Sequence, residues 1–241
     1  MHLSRHAAPS GLVLALVLLA WSMWASAGDA HRPQPFVAVY TVEAGGVKVG
    51  RMTRTLEFDA DGSYRFKAVV ESEGLVALLK PTRIAEESSG RWQDAYPLPL
   101  RYAHDKRSGK KRKETQLEFD WAAGRSRGTV NGIAIEAALE TGLIDKLSYQ
   151  LALMRDLAAG VSDLQYRVAD VGGAKSYRLE RRADERVRVA GVDYDTVPVA
   201  YTRDDGRRTV LWCAPTLGYL PVRIEYTEKD GQVTTAELSS R

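Results

Sequence analysis

From Phe36 onward, apolar and polar residues alternate with a period of two in short runs separated by turn signals. That pattern restricts the chain to antiparallel β-structure before any other property is weighed. Successive side chains of a strand point to opposite faces, so each alternating run has one face to bury and one to show water. Phe36, Ala38, Tyr40 and Val42 share one face, with Val37, Val39, Thr41 and Glu43 on the other. Gly45-Gly46 turns the chain into residues 47–58, and Asp61-Gly62 turns it back into 64–73. There Tyr64, Phe66, Ala68 and Val70 stand opposite Arg65, Lys67 and Glu71. Further on, Leu117, Phe119 and Trp121 alternate with Glu118 and Asp120. Asn131-Gly132, between residues 125–130 and 133–139, is the strongest short-range hairpin signal a sequence can hold.

Two segments break the alternation. Residues 74–80 are apolar without a period and end at Pro81, which predicts a single helical turn or capping segment that plugs one end of the sheet. Leu143, Ile144, Leu147, Leu151, Met154 and Leu157 recur at three- and four-residue spacing, with Gly160 where a C-cap belongs. This predicts an amphipathic helix of about 16 residues. Asp145 near its start suits the helix dipole. The chain then has about 13 strands against one helix, too many for a flat sheet. The economical solution is a mainly β, curved antiparallel, partly closed, barrel-like sheet with one amphipathic helix packed on its concave side. Aromatic residues such as Trp92 and Trp212 and the helix residues Leu147, Leu151 and Met154 are then candidates to line an apolar cavity between sheet and helix.

The first 27 residues read as a cleavable signal peptide. Arg5 and two histidines precede Gly11 to Trp24, which holds no charge, and Ala25-Ser26-Ala27 offers small side chains for cleavage after Ala27, with Ala30 as the alternative. The apolar stretch, about 14 residues, falls short of the roughly 20 that cross a bilayer as a helix. The expectation is a single β-rich periplasmic domain over residues 28–241, soluble after cleavage. One cysteine, Cys213, leaves no internal disulfide, and it reads as a small buried hydrophobe. The formal net charge of +3 is close to balance, which gives nucleic acid no electrostatic footprint.

Several stretches resemble a known family. Phe36-Val37-Ala38-Val39-Tyr40 with Gly50, the helix from Asp145 to Leu157, and residues 212–225, Trp-Cys-Ala-Pro-Thr-Leu-Gly-Tyr-Leu-Pro-Val-Arg-Ile-Glu, are similar to a family of exported bacterial periplasmic proteins of unknown function. Cys213 stands where that family usually has an apolar residue. More distantly the architecture resembles the open β-barrels of outer-membrane lipoprotein carriers, which hold an acyl chain between curved sheet and helix. That second likeness is one of fold, and fold does not carry function.

Chemistry is sparse. Removing the leader leaves His31 and His104. His104 and Asp105, as strand neighbours, point to opposite faces and make a poor base and orienting carboxylate. Nucleophile-elbow, phosphate-loop, HExxH and paired-cysteine patterns do not occur, so no cofactor or metal is implied. Glu86-Glu87, Asp204-Asp205 and the pair Asp193 and Asp195 read as solvated strand ends. Lys106, Arg107, Lys110, Lys111, Arg112 and Lys113 put six cations into eight residues at an apparent hairpin tip, a candidate contact to an anionic membrane surface or acidic partner. The sequence thus points to a non-enzymatic envelope protein that binds a lipid-like ligand or a partner protein on the helix-covered face of its sheet. A scaffold with a filled core is the alternative, and an unfamiliar hydrolase the third reading.

Overall fold

The computed structural model describes residues 31–170 and 173–241, so the signal peptide expected at residues 1–27 lies outside the described residues. The alternating runs form strands as their period dictates. β1 (Phe36–Ala44), β2 (Val47–Phe58) and β3 (Ser63–Ser72) are joined by tight turns, and α1 (Gly74–Leu79) connects β3 to β4 (Thr82–Gln93). β5 (Tyr96–Ser108), β6 (Lys111–Asp120), β7 (Arg125–Val130) and β8 (Ile133–Ala138) continue the meander. After the two-residue strand β9 (Leu143–Ile144) comes α2 (Tyr149–Ala158). The chain ends with β10 (Leu164–Asp170), β11 (Gly173–Arg181), β12 (Glu185–Val189), β13 (Val192–Thr202), β14 (Arg208–Ala214), β15 (Leu220–Thr227) and β16 (Val233–Ser240).

These sixteen strands form one sheet, in the order β8 to β1, then β16, β15, β14, β13, β11, β10 and β9, with β12 paired to β13 off this path. The first and last strands, β1 and β16, pair antiparallel in the middle of the sheet, Val42 opposite Ala236. The free edges are β8 and β9, and residues of both, Ile135 and Leu143, line a common gap of about 10 Å³. The sheet has curled until its edges approach, as one of this width must. Because β1 to β8 are consecutive neighbours, the β1–β2, β3–β4, β5–β6 and β7–β8 connections emerge at one end and the intervening turns at the other.

The helix differs from its expectation in an informative way. Leu147, Leu151 and Met154 pack in one cluster with Tyr40, Leu56, Phe66, Tyr102 and Leu117 of the first half of the sheet. Tyr149, Ala152, Leu153 and Leu157 pack in another with Tyr166, Tyr177, Val199, Leu211 and Cys213 of the second half. A helix buried on two sides is an interior element, not a cover lying on a sheet. The curled sheet wraps α2, and α2 fills it. Of the residues picked out by three- and four-residue spacing, Leu147, Leu151 and Met154 face the first cluster and Leu157 the second, where it is joined by Ala152 and Leu153, which interrupt that spacing.

The helix boundary also shifts. Leu143 and Ile144 pair in parallel with Arg167 and Val168 as β9. The helical turn then opens at Asp145, whose Oδ1 accepts from the backbone N–H groups of Leu147 and Ser148, each at 2.8 Å, while Ser148 Oγ accepts from Asp145 N at 3.0 Å. This reciprocal capping satisfies donors that the first turn would otherwise leave orphaned. Sixteen strands replace the expected 13 or so; one of them, β9, lies where the sequence reads as the first helical turn.

α1 departs from its expectation too. None of its residues is buried, so it plugs nothing: it stands out from the rim of the sheet with Leu75, Leu78 and Leu79 in solvent.

Candidate functional site

The five residues expected to line an apolar cavity do not surround one. Leu147, Leu151 and Met154 are buried in the packed cluster on one side of α2. Trp212 alternates along β14 with Leu211 and Cys213, both packed toward the helix, so its ring lies on the far face of that strand. There it donates to Glu185 of β12 and sits 5.8 Å from the Arg223 guanidinium carbon. Trp92 is half-buried near the rim, edge-on to Phe58 with centroids 6.0 Å apart. The expected cavity is occupied by the helix expected to roof it.

Inside the sheet lies a set of polar groups that alternation alone did not reveal. Asp145 is fully buried, and Ser88 Oγ donates to its Oδ2; Tyr64 Oη lies 3.0 Å from Ser88 Oγ. Burial, only partly offset by these hydrogen bonds, pushes the Asp145 carboxyl up to about 6. Tyr102 Oη donates to Glu86 Oε1 at 2.6 Å, and burial followed by the Glu86 charge drives its hydroxyl far above the ordinary tyrosine range. Arg54, 1% exposed, donates to Gln150 Oε1 and lies 5.0 Å from the Phe66 ring centre, while its Nη1 has no hydrogen-bond partner. Cross-strand register places Arg54, Ala68, Glu86 and His104 in one row on the concave face. Asp105 is turned outward, where Arg107 and Arg112 hold it at about 2. His104 and Asp105 therefore face apart, and the interior groups act as fastenings between sheet and helix. Cys213 is wholly buried, and desolvation pushes its thiol up to about 12, where it is no nucleophile.

A concave feature of the described residues lies at the end of the barrel opposite α1. The β4–β5 turn, the β6–β7 turn, the chain after β8 and the loop from α2 to β10 enclose a cleft of about 720 Å³. Its apolar wall includes Leu98, Trp121, Leu139, Ile144 and Tyr166. Asp156, near the C-terminal end of α2, is buried at its edge and accepts from Tyr96 Oη at 2.7 Å, Tyr166 Oη at 2.8 Å and Arg155 Nη1 at 2.8 Å. With three donors on it, this carboxylate holds the wall together. Volume and lining match those of small-molecule sites. Sequence reasoning missed the cleft because its residues come from four connections, which a period does not describe.

The six cations of the basic segment are all exposed and stand at the end of the β5–β6 hairpin. β5 and β6 run through it, pairing Lys106 with Lys113 and Arg107 with Arg112, so only Gly109 and Lys110 form the turn. Arg107 and Arg112 both bind Asp105, and Arg112 also reaches Glu114 at 3.2 Å. Carboxylates two or more residues away on these strands therefore let like charges sit opposite each other in a ladder.

The fold and site define a curved, barrel-like β-protein filled by its own helix. The family model described as protein of unknown function DUF3108 matches residues 39–239, and the chain belongs to that family. No curated protein matches the sequence. A β-barrel-like protein of domain of unknown function DUF1849 from Brucella abortus aligns over 88% of this chain and 98% of its own, at 12% identity and a TM-score of 0.59, a likeness of fold alone. The MucA/MucB complex structure from Pseudomonas aeruginosa aligns over 88% of this chain and 89% of its own at 10% identity, with a TM-score of 0.19, which supports no argument.

Proposed function

We propose that this is a non-enzymatic protein of the bacterial envelope, exported to the periplasm, that binds a lipid-like ligand in the cleft at the end of its barrel and not inside it. The observation that supports this reading is the burial of α2 on both sides, which leaves the interior to side chains. A carrier of the kind expected from the sequence needs that space. The cleft offers an apolar wall of Leu98, Trp121, Leu139 and Ile144 beside the polar groups of Arg167 and Glu140, the arrangement an amphipathic molecule requires. Arg167 and Glu140 already pair at 2.7 Å, so a ligand headgroup would compete with or extend an existing ion pair.

Native mass spectrometry of the protein purified from its own cells, followed by organic extraction, tests the reading. The expected result is a bound amphipathic molecule lost in a Leu139→Arg variant that keeps its thermal stability. An empty wild-type protein that also fails to bind a fluorescent fatty acid would reject it in favour of a scaffold with a filled core.

A further inference from the structure

The end of the barrel opposite the cleft presents an apolar tip flanked by lysines that have no ion pair among the described residues, and we propose that it docks on an anionic lipid bilayer, with α1 inserting among the headgroups. α1 has no buried residue: Leu75, Leu78 and Leu79 are 77%, 80% and 88% exposed. Such exposure is unusual for three leucines within five residues, and no fold-stabilising contact accounts for it. Strand order places further apolar side chains at the same end, because the β1–β2 and β7–β8 turns emerge beside α1 and the β5–β6 turn. Val47 follows the first of these turns and Ile133 the second, and both are exposed.

Charge frames this tip. The β5–β6 turn is fastened directly to the base of α1, since Gly109 N donates to Pro81 O at 3.0 Å and Thr82 Oγ1 lies 2.9 Å from Ser108 Oγ. Arg107 and Arg112 are neutralised by Asp105 and Glu114. Lys106, Lys110, Lys111 and Lys113 are exposed and have no ion pair among the described residues, and Lys80 adds a fifth exposed cation at the end of α1. The nearest carboxylate on the other flank, Glu73, is taken by Lys48 at 3.0 Å and Arg51 at 2.8 Å. The result is an apolar point with net positive charge beside it, concentrated on the β5–β6 side.

Three features favour a bilayer over a protein partner. The leucines project on a convex, single-turn helix, and a side chain that is four-fifths exposed offers no concave pocket of its own to receive a partner's anchor residue. The surrounding cations are lysines, which are depleted from protein interfaces. Lysine stems can lie along apolar surface while their ammonium groups reach phosphate, which suits the headgroup boundary. Leucine insertion and lysine attraction are each too weak for stable anchoring and act together, as two-signal membrane binding requires. The proposal does not depend on the cleft, which lies at the other end.

A single reporter on α1 tests it in the protein without residues 1–27, the form proposed to be exported. Because Cys213 is fully buried, a Leu78→Cys variant takes an environment-sensitive fluorophore at one site, with Ala122→Cys at the opposite end as control. With vesicles containing phosphatidylglycerol, the label at 78 should shift to the blue and be quenched by brominated acyl chains, while that at 122 stays in water. Replacing Lys106, Lys110, Lys111 and Lys113 by Ser should raise the lipid concentration needed by roughly tenfold or more, and salt should do the same to the parent. An α1 label that ignores anionic vesicles, responds equally to zwitterionic ones, or shifts through self-association without lipid overturns the proposal.

Discussion

The buried Asp145 makes stability depend on pH in the direction opposite to that of most carboxylates, and Asp145→Asn isolates the effect. Burial raises its carboxyl from the ordinary 3.8 to about 6 in the folded protein. Between those values the folded state binds a proton that the unfolded chain does not, so its contribution is fully present below pH 4 and is lost as pH rises through about 6. A gap of about 2 units is worth roughly 3 kcal/mol, at ~1.4 kcal/mol per unit. The amide imitates the protonated acid. Its oxygen keeps the N–H bonds of Leu147 and Ser148, and its NH₂ can donate to Ser88 Oγ, which then passes its own proton toward Tyr64. Urea unfolding of both proteins from pH 4 to 8 should give a difference near zero at pH 4 that grows to about 3 kcal/mol in favour of the variant by pH 7. Surface carboxylates such as Glu73 and Glu136, which their basic partners hold low, cancel in that difference because both proteins have them. A difference curve flat across this range would refute a buried, ionising Asp145.

Other consequences are as concrete. Replacing Arg54 and Gln150 together by Met and Leu removes a buried cation with an orphaned Nη1 and the Gln150 oxygen that it donates to, and should raise stability by ~1–4 kcal/mol in thermal unfolding; a net loss would mean the interior needs the charge. Cys213 should resist Ellman's reagent in the native protein and react only at the rate of unfolding, whereas fast labelling would contradict its burial against α2.

Much of the sheet was legible because a period of two states which residues face inward wherever one face is buried. Phe36, Ala38, Tyr40 and Val42 are all buried, as their alternation demands. The same logic fails where both sides of an element are buried. The apolar spacing of α2 reads as a single stripe, yet Leu151 and Met154 face one half of the sheet while Leu157, with Ala152 and Leu153, faces the other, and a period does not say which half each residue meets. Polar residues on apolar faces were legible only as irregularities. Arg54, Glu86 and Ser88 each sit where alternation asks for an apolar side chain, and their reason, a partner on α2 or across the sheet, is a long-range contact. In the basic segment all six cations are exposed, and what the charge density hid is strand length: β5 and β6 keep their register through it because Asp105 and Glu114 lie within reach of two arginines.

The placement of leucines separates a filled barrel from a carrier. A sheet that keeps a ligand inside must leave its concave face apolar and uncovered, and close packing resists such a void. Here Leu151, Leu153 and Met154 project from α2 to both walls and occupy that space. The apolar side chains in excess, Leu75, Leu78 and Leu79, are placed on α1 at the rim, where burial would need another surface. Within a single chain these two sets differ in what completes them. The leucines of α2 are completed by the fold, so their loss should register as instability. Those of α1 are completed by nothing in the fold, so replacing Leu75 and Leu78 by Ser should leave unfolding unchanged and alter only what the protein adheres to.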